Sequence, residues 1–114
     1  MSIAQKLIML VEDDQINAKL VRDFLKFKGY DIVQLDNGLN VLPKLKECSP
    51  VLILLDLRIF GRSGIDVAKD LRASNEYSKI PIFAISAMLR DKALTDEEKP
   101  LFDEYIEKPI VFEQ

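Results

Sequence analysis

Short apolar runs without alternating polar residues constrain the fold of this chain more than any other feature. The runs 7–11, 51–55 and 80–85 are continuous or nearly so, and the run 31–35 is shorter and mixed. Strands buried on both faces of a parallel sheet have this pattern. The runs therefore predict four strands, with 31–35 at an edge of the sheet, and residues 105–107 are a candidate fifth strand.

Helical patterns separate these runs. Asp14 is placed as the N-cap of a first helix and Gly29 as its stop signal. Second and third helices are predicted over 39–45, where Pro43 removes a hydrogen-bond donor, and after 63–64. The apolar positions of the first helix recur at helical spacing: Ile16, Leu20, Phe24 and Phe27, with Val21 and Leu25 beside them. Strands alternating with helices predict one compact three-layer α/β sandwich with right-handed crossovers.

The segment around Pro100 is less regular. Pro100 is expected to end or kink any helix between 89 and 102. No internal repeat, low-complexity tract or linker divides the 114 residues, which fit one domain.

Composition excludes several kinds of chemistry. The chain has no histidine and one cysteine, Cys48, so histidine-based triads, histidine metal sites and internal disulfides are excluded. Sixteen basic and nineteen acidic residues leave a net charge of −3, which gives no basic field for nucleic acid. No segment reaches the ~18 apolar residues of a membrane span, and residues 1–6 lack signal-peptide features. We therefore expect a cytoplasmic protein that binds neither nucleic acid nor membrane.

Polar residues end each predicted central strand. Glu12, Asp13 and Asp14 follow the first run, Asp56 the third, Ser86 the fourth and Lys108 the fifth. The carboxyl ends of parallel strands share one edge of the sheet, where such folds bind ligands. We therefore expect carboxylates, a hydroxyl and an ammonium to converge in one crevice.

Such a cluster suits a narrow range of reactions. Oxygen ligands without histidine or paired thiols favour Mg²⁺ over zinc. An aspartate beside Mg²⁺ is a competent nucleophile toward a phosphoryl group, and a lysine and a hydroxyl can stabilise the transferring oxygens. These residues are sufficient to form an aspartyl phosphate.

Four motifs in order resemble those of response regulator receiver domains, over essentially the whole chain. The matching segments are 10–14 (LVEDD), 53–56 (ILLD), 85–87 (ISA) and 105–109 (YIEKP). Asn17, three positions after the acidic triplet, makes the chain most similar to stand-alone and hybrid-kinase receivers. The resemblance implies a flavodoxin-like fold, with a parallel five-stranded sheet of order 2-1-3-4-5.

The resemblance also implies the function. The chain would take a phosphoryl group from a histidine kinase or histidine phosphotransfer protein onto Asp56, with Mg²⁺ as cofactor. It would then switch an interaction with a downstream protein partner, and it would catalyse only its own phosphorylation and dephosphorylation. It would thus be a signalling switch of a two-component system or phosphorelay rather than an enzyme.

Individual roles follow from the same resemblance. Mg²⁺ would be held by Glu12, Asp13, Asp56 and the backbone carbonyl of Arg58. The phosphoryl group would be bound by Ser86, the backbone of Ala87, and Lys108. Ser86 and Tyr105 would form the switch, and the bond before Pro109 would be cis.

The sequence departs from the family at several positions. Phe60 replaces a usual proline, and Arg58 places a cationic side chain at the mouth of the site, where it could alter the lifetime of the phosphoryl group. The chain stops at Gln114, where the last helix is expected to start. We therefore expect a receiver domain over 1–114 whose final helix is missing or supplied by a partner. An exposed fifth strand and the apolar segment 110–112 would favour contacts between copies, as in a homodimer.

Two alternative functions stay open. Phe60 and the missing helix would fit a pseudo-receiver, an interaction module that is not phosphorylated. A Mg²⁺-dependent phosphohydrolase would also use an aspartyl phosphate. Those enzymes usually carry a second aspartate two positions after the nucleophile, and Arg58 stands there.

Overall fold

A computed structural model of the chain describes residues 6–59, 61–86 and 94–108. Five strands and three α-helices alternate along these residues. In chain order the elements are β1 (Leu7–Val11), α1 (Gln15–Phe27), β2 (Asp31–Leu35), a 3₁₀ turn (Gly38–Asn40), α2 (Val41–Leu45), β3 (Leu52–Asp56), α3 (Gly64–Ala73), β4 (Ile82–Ser86), a second 3₁₀ turn (Lys99–Leu101) and β5 (Glu104–Glu107).

The strands form one parallel sheet of order β2-β1-β3-β4-β5. This confirms the predicted flavodoxin-like architecture and places β2 at an edge, as its mixed composition indicated. In register, Val11 pairs with Leu55, Asp56 with Ile85, and Ser86 with Glu107. The carboxyl ends of β1, β3, β4 and β5 therefore lie side by side.

Two apolar clusters cover the two faces of the sheet. The larger cluster packs α2 and α3 against one face, with Met9, Ile53 and Leu71 fully buried. The smaller cluster packs α1 against the other face, with Leu10, Val21 and Ile85 in its centre. Burial on both faces explains why β1 and β3 have uninterrupted apolar sequences.

The predicted first helix is confirmed, and it starts and ends at the expected signals. The Asp14 carboxylate accepts hydrogen bonds from the backbone N–H groups of Ile16 and Asn17. Gly29 follows the helix with a φ of +101°, in the left-handed region that suits glycine.

Three of the apolar positions by which α1 was recognised face outward. Ile16 is 75% exposed, Leu20 58% and Phe27 84%. The helix instead buries the smaller residues Ala18 and Val21 against the sheet. Helical spacing thus identified the helix, and of the positions named for it Val21 and Leu25 pack on the core.

Two proline positions have a structural explanation. Pro43 lies in the first turn of α2, where backbone N–H groups lack intrahelical partners, so the helix tolerates it. Pro100 lies in the 3₁₀ turn before β5, which agrees with the prediction that this proline interrupts any helix there.

Some predictions fall outside the described residues. These are the position of Phe60, the backbone of Ala87, the cis bond at Pro109, and the expected absence of a last helix after residue 109. Among the helices that the structure does describe, none is long and apolar enough to cross a membrane.

Candidate functional site

Buried polar side chains mark the carboxyl edge of the sheet. Within the described ranges three polar side chains are buried: Glu12, Asp56 and Ser86. Each is the last residue of a central strand or directly follows one. Burying polar groups costs free energy unless partners compensate for it. Packing does not require these residue types here, so the edge has the character of a functional site.

Lys108 supplies the positive charge at this edge. Its Nζ donates a hydrogen bond to Asp56 Oδ2 at 2.7 Å and lies 3.2 Å from Glu12 Oε1. Partial burial disfavours the ammonium form, but the hydrogen bond and charge of Asp56, with those of Glu12, outweigh it and raise the pKa of Lys108. The side chain is therefore charged at neutral pH.

Glu12 is the least satisfied group of the site. Its side chain is 1% exposed, and Oε2 accepts a hydrogen bond from the backbone N–H of Asp14 at 3.1 Å. Oε1 makes no hydrogen bond, although Lys108 Nζ lies nearby. Burial, followed by the interaction with Asp56, raises the pKa of Glu12 to about 7. One oxygen of this carboxylate thus has an ion pair with Lys108 but no hydrogen bond.

Three carboxylates come close enough to hold a cation. Ligand oxygens of Glu12, Asp13 and Asp56 all lie within 4.8 Å of one another, and Asp13 is exposed. One ammonium does not neutralise three carboxylates. The Glu12 oxygen that makes no hydrogen bond and the all-oxygen donor set therefore fit a hard divalent cation such as Mg²⁺.

The loop after β3 holds the Asp56 side chain in place. Asp56 Oδ1 accepts a hydrogen bond from the backbone N–H of Arg58 at 2.9 Å, while the Arg58 side chain is exposed. The N–H of Leu57 donates to the Ile85 carbonyl at 3.0 Å, which extends the pairing of β3 and β4 past the acidic residue. One carboxylate oxygen thus receives a backbone donor and the other receives Lys108.

Gly64 allows this loop to close, a role that sequence reasoning missed. A Cβ at this position would lie 2.6 Å from the Asp56 carbonyl oxygen and 2.8 Å from Leu57 Cα. Ser63 begins α3 by accepting a hydrogen bond from the Ile65 N–H at 3.1 Å. The available signal was a glycine directly after a helix-capping serine, close behind a strand-ending aspartate.

Ser86 and Tyr105 lie on neighbouring strands but are offset by two positions: Tyr105 is opposite Ala84, and Ser86 is opposite Glu107. Ser86 is buried at the end of β4, and the Tyr105 side chain is half exposed. The Tyr105 hydroxyl donates to the Lys99 carbonyl, and its ring packs edge-on against Phe102 with centroids 6.0 Å apart. The structure therefore brings Ser86 to the site edge and shows Tyr105 beside the turn that precedes β5.

The arrangement has a definite chemical capacity. One oxygen of Asp56 contacts the Lys108 ammonium, and the neighbouring carboxylates can hold a metal ion beside it. A carboxylate placed in this way can attack an electrophilic phosphorus. The Lys108 ammonium and a bound metal ion would both stabilise the negative charge that develops on the phosphoryl oxygens.

Comparison with known proteins agrees with this geometry. The family model "Response regulator receiver domain" matches residues 8–114. The polar-differentiation response regulator DivK of Brucella anthropi is 36% identical over 109 residues, which span 92% of this chain and 85% of that protein.

Solved structures are similar over almost the full length. A CheY-like receiver domain from Methylobacillus flagellatus has a TM-score of 0.83 at 28% identity, covering 95% of this chain and 90% of that one. The receiver domain of a sensor histidine kinase from Pseudomonas aeruginosa PAO1, with magnesium coordinated in its active-site cleft, has a TM-score of 0.80 at 25% identity, covering 95% and 88%. Receivers of this kind are signalling switches in two-component systems. From its sheet order, its acidic edge and these similarities, the chain belongs to the response regulator receiver domain family.

Proposed function

We propose that this receiver domain accepts a phosphoryl group on Asp56 from a phosphohistidine of another protein. The observation that carries the proposal is the buried contact of Asp56 with Lys108 and the neighbouring Glu12. The Lys108 ammonium on one oxygen and the Arg58 backbone N–H on the other hold this buried carboxylate in one orientation. Since this chain has no histidine, the donor imidazole must come from elsewhere.

The transfer is a displacement at phosphorus. One Asp56 carboxylate oxygen attacks the phosphorus while the bond between phosphorus and the donor imidazole nitrogen breaks, and the nitrogen keeps the electron pair. Lys108 binds an oxygen of the transferring group and offsets its negative charge. Loss of the phosphoryl group from Asp56 to water would reset the domain.

The residues that would hold Mg²⁺ are Glu12, Asp13, Asp56 and the backbone carbonyl of Arg58. When bound, the cation neutralises charge on the phosphoryl oxygens. Support comes from the closeness of the three carboxylates, from Glu12 Oε1, which makes no hydrogen bond, and from the magnesium in the similar histidine-kinase receiver. Asp13, being exposed, would be the protein ligand reached first from solvent.

The signal would pass from the site through β4 and β5. Ser86 and the backbone of Ala87 would donate hydrogen bonds to the phosphoryl group opposite Lys108. Movement of Ser86 toward that group would free space beside it, and Tyr105 would shift inward. The switch would be a shift between two populations that a downstream protein partner distinguishes. A cis bond before Pro109 would aim Lys108 at the site.

A surface for a protein partner lies beside the site. The outward side of α1 carries the exposed residues Ile16, Leu20 and Phe27, an unusual amount of apolar area for one helix. Its first turn adjoins Asp13 and Asp14. We propose that the phosphodonor, a histidine kinase or phosphotransfer protein, docks here. Nucleic acid and membrane are not proposed partners, and the exposed strand β5 would be the contact of a homodimer.

The test is phosphorylation by a small donor. The protein is incubated with acetyl phosphate or phosphoramidate and Mg²⁺, and its intact mass is measured. We expect a gain of about 80 Da, one HPO₃ group, which disappears with chelator and in Asp56→Asn. Asp36→Asn is the matched control, because Asp36 follows the neighbouring strand β2 but is exposed.

The outcomes separate the proposal from its alternatives. An adduct that is retained in Asp36→Asn and lost in Asp56→Asn supports the receiver function. No adduct with any donor, at any Mg²⁺ concentration, would favour a pseudo-receiver that acts by binding alone. Continuous release of phosphate from unrelated phosphoesters would favour a phosphohydrolase.

A further inference from the structure

We propose that Arg72 and Asp103 are positioning residues: they set the register of β5 against β4 and thereby place Lys108 beside Asp56. The expected effect on phosphorylation rests on the proposed function, whereas the effect on strand register does not. Neither side chain touches the phosphoryl site. Their effect is transmitted through the position of a short strand at the edge of the sheet.

The side chains of β5 specify its register only weakly. Three of the four residues of the strand are exposed, and Ile106 is half-buried. Tyr105 and Ile106 point to opposite faces, so a slip by one residue would exchange one bulky side chain for another. Registers with little buried apolar area are prone to slip. Another interaction must therefore hold the strand in place.

Asp103 provides that interaction at the start of the strand. Its backbone N–H donates to the Ile82 carbonyl at 2.8 Å, and its Oδ2 accepts a hydrogen bond from the Ile82 N–H at 2.8 Å. Both backbone polar groups of Ile82, the first residue of β4, are thus paired with one residue. This two-point contact places position 103 opposite position 82.

Arg72 fixes the other side of the same junction. The guanidinium donates to Asp103 Oδ2 and the Leu101 carbonyl, both at 2.9 Å. It also donates to the carbonyls of Ser78 at 2.8 Å and Ile80 at 2.7 Å. One planar group from the last turn of α3 therefore ties the segment before β4 to the segment before β5. A lysine has no such fork of donors.

Register at residue 103 determines the place of Lys108. The pairing of β4 with β5 begins at Phe83 and Glu104 and ends at Ser86 and Glu107. Just beyond it, the Lys108 N–H donates to the Ser86 carbonyl at 3.0 Å. A slip of one residue would move Lys108 by about 3.3 Å and turn its side chain to the other face. The 2.7 Å contact between Lys108 Nζ and Asp56 would then be lost.

The experiment compares Asp103→Ala, Asp103→Asn and Arg72→Lys with the wild type. Asp103→Asn keeps an oxygen for the Ile82 N–H and loses only the charge toward Arg72. Asp23→Asn is the matched control, since Asp23 forms an ion pair with Lys19 on the exposed side of α1. Three quantities are measured for each variant: the rate of phosphorylation by acetyl phosphate, the affinity for Mg²⁺ and the temperature of thermal unfolding. Each variant is also combined with Lys108→Ala.

We expect Asp103→Ala to slow phosphorylation roughly 10–100-fold, because a displacement of about 1 Å at a reacting group has costs of this size. Asp103→Asn should recover most of the rate, Arg72→Lys should be intermediate, and Asp23→Asn should match the wild type. Mg²⁺ affinity should change less than twofold, since the carboxylates do not move. In the Lys108→Ala background, Asp103→Ala should have no further effect on the rate.

A second readout does not depend on phosphorylation. Amide NMR shifts and hydrogen exchange at Ser86 and Lys108 should change in Asp103→Ala and not in Asp23→Asn. If the wild type takes no phosphoryl group but these signals move, the proposed function fails and the register inference stands. If the wild type is phosphorylated and Asp103→Ala reacts equally fast, or slows further in the Lys108→Ala background, the positioning role is overturned.

Discussion

Lys108 Nζ and Asp56 Oδ2 lie 2.7 Å apart, although 52 residues separate them along the chain. The two residues stand at the carboxyl ends of β5 and β3, with β4 between the strands. Their contact exists only because parallel strands bring all their carboxyl ends to one edge. Glu12, from β1, completes the cluster on the other side.

Removal of the ammonium should separate metal binding from phosphoryl transfer. In Lys108→Met the carboxylates that would hold Mg²⁺ remain, while the cation opposite the attacking oxygen is lost. We expect phosphorylation by acetyl phosphate to slow at least ~100-fold, with Mg²⁺ affinity unchanged or higher. The metal-free protein should lose about 1–3 kcal/mol of unfolding free energy, because two buried carboxylates lose their partner. Lys26→Met, at an exposed position of α1, is the control and should react at the wild-type rate. A wild-type rate in Lys108→Met would contradict the role of Lys108.

Glu12 should make the metal-free protein less stable as pH rises. Its pKa is raised from 4.5 to about 7 in the folded state, so the folded protein binds more protons than the unfolded chain between those values. Unfolding free energy should therefore fall from pH 4.5 to about 7, by up to ~3 kcal/mol. Urea unfolding in chelator measures this slope.

Glu12→Gln should remove most of that slope, because the amide does not titrate. Mg²⁺ should restore stability at pH 7.5 in the wild type and do so less in the variant, since it favours the ionised carboxylate. Glu97→Gln, at an exposed position, is the matched control and should keep the wild-type slope. A slope that persists unchanged in Glu12→Gln would show that another group is responsible.

Gly64 should be intolerant of a methyl group for a steric reason. In Gly64→Ala the new Cβ would meet the Asp56 carbonyl oxygen and Leu57 Cα, which are backbone atoms and cannot rotate away. We expect a loss of about 1–3 kcal/mol in chemical unfolding, together with slower phosphorylation of Asp56.

Gly29→Ala provides the contrast, because a Cβ there meets nothing within 4 Å and only the positive φ is unfavourable. That change should cost about 1–2 kcal/mol and leave the phosphorylation rate intact. Equal phosphorylation rates in the two variants would show that the loop tolerates the shift.

The exposed side of α1 should matter for a protein donor and not for a small one. Leu20→Glu introduces a charge at an outward position, so the fold should be unaffected. Phosphoryl transfer from a phosphohistidine protein should slow at least ~10-fold, while phosphorylation by acetyl phosphate stays at the wild-type rate. Lys69→Glu, on α3 and the opposite face of the sheet, is the control; equal losses with both donors would place the defect in the site.

Much of the fold was predictable because it depends on local patterns. Uninterrupted apolar runs identified β1, β3 and β4, and the cap at Asp14 and the glycine at 29 identified the limits of α1. The side of α1 that packs was predictable only in part. Val21 and Leu25 pack on the sheet, whereas Ile16 and Phe27, at the same helical spacing, face outward. Which side of a helix is buried depends on where the sheet lies, and spacing along one segment does not give that.

The sequence by itself determined the alternation of strands and helices, the acidic and basic residues that end the strands, and the exclusion of histidine chemistry in this chain. Only the tertiary structure decided that Glu12 has a buried oxygen without a hydrogen bond, that Gly64 leaves no room for a Cβ, and that Arg72 and Asp103 join the starts of β4 and β5. The physical reason is distance along the chain. Strand and helix propensities act over a few residues, whereas desolvation, close packing and long-range hydrogen bonds depend on segments that meet only when the sheet is complete.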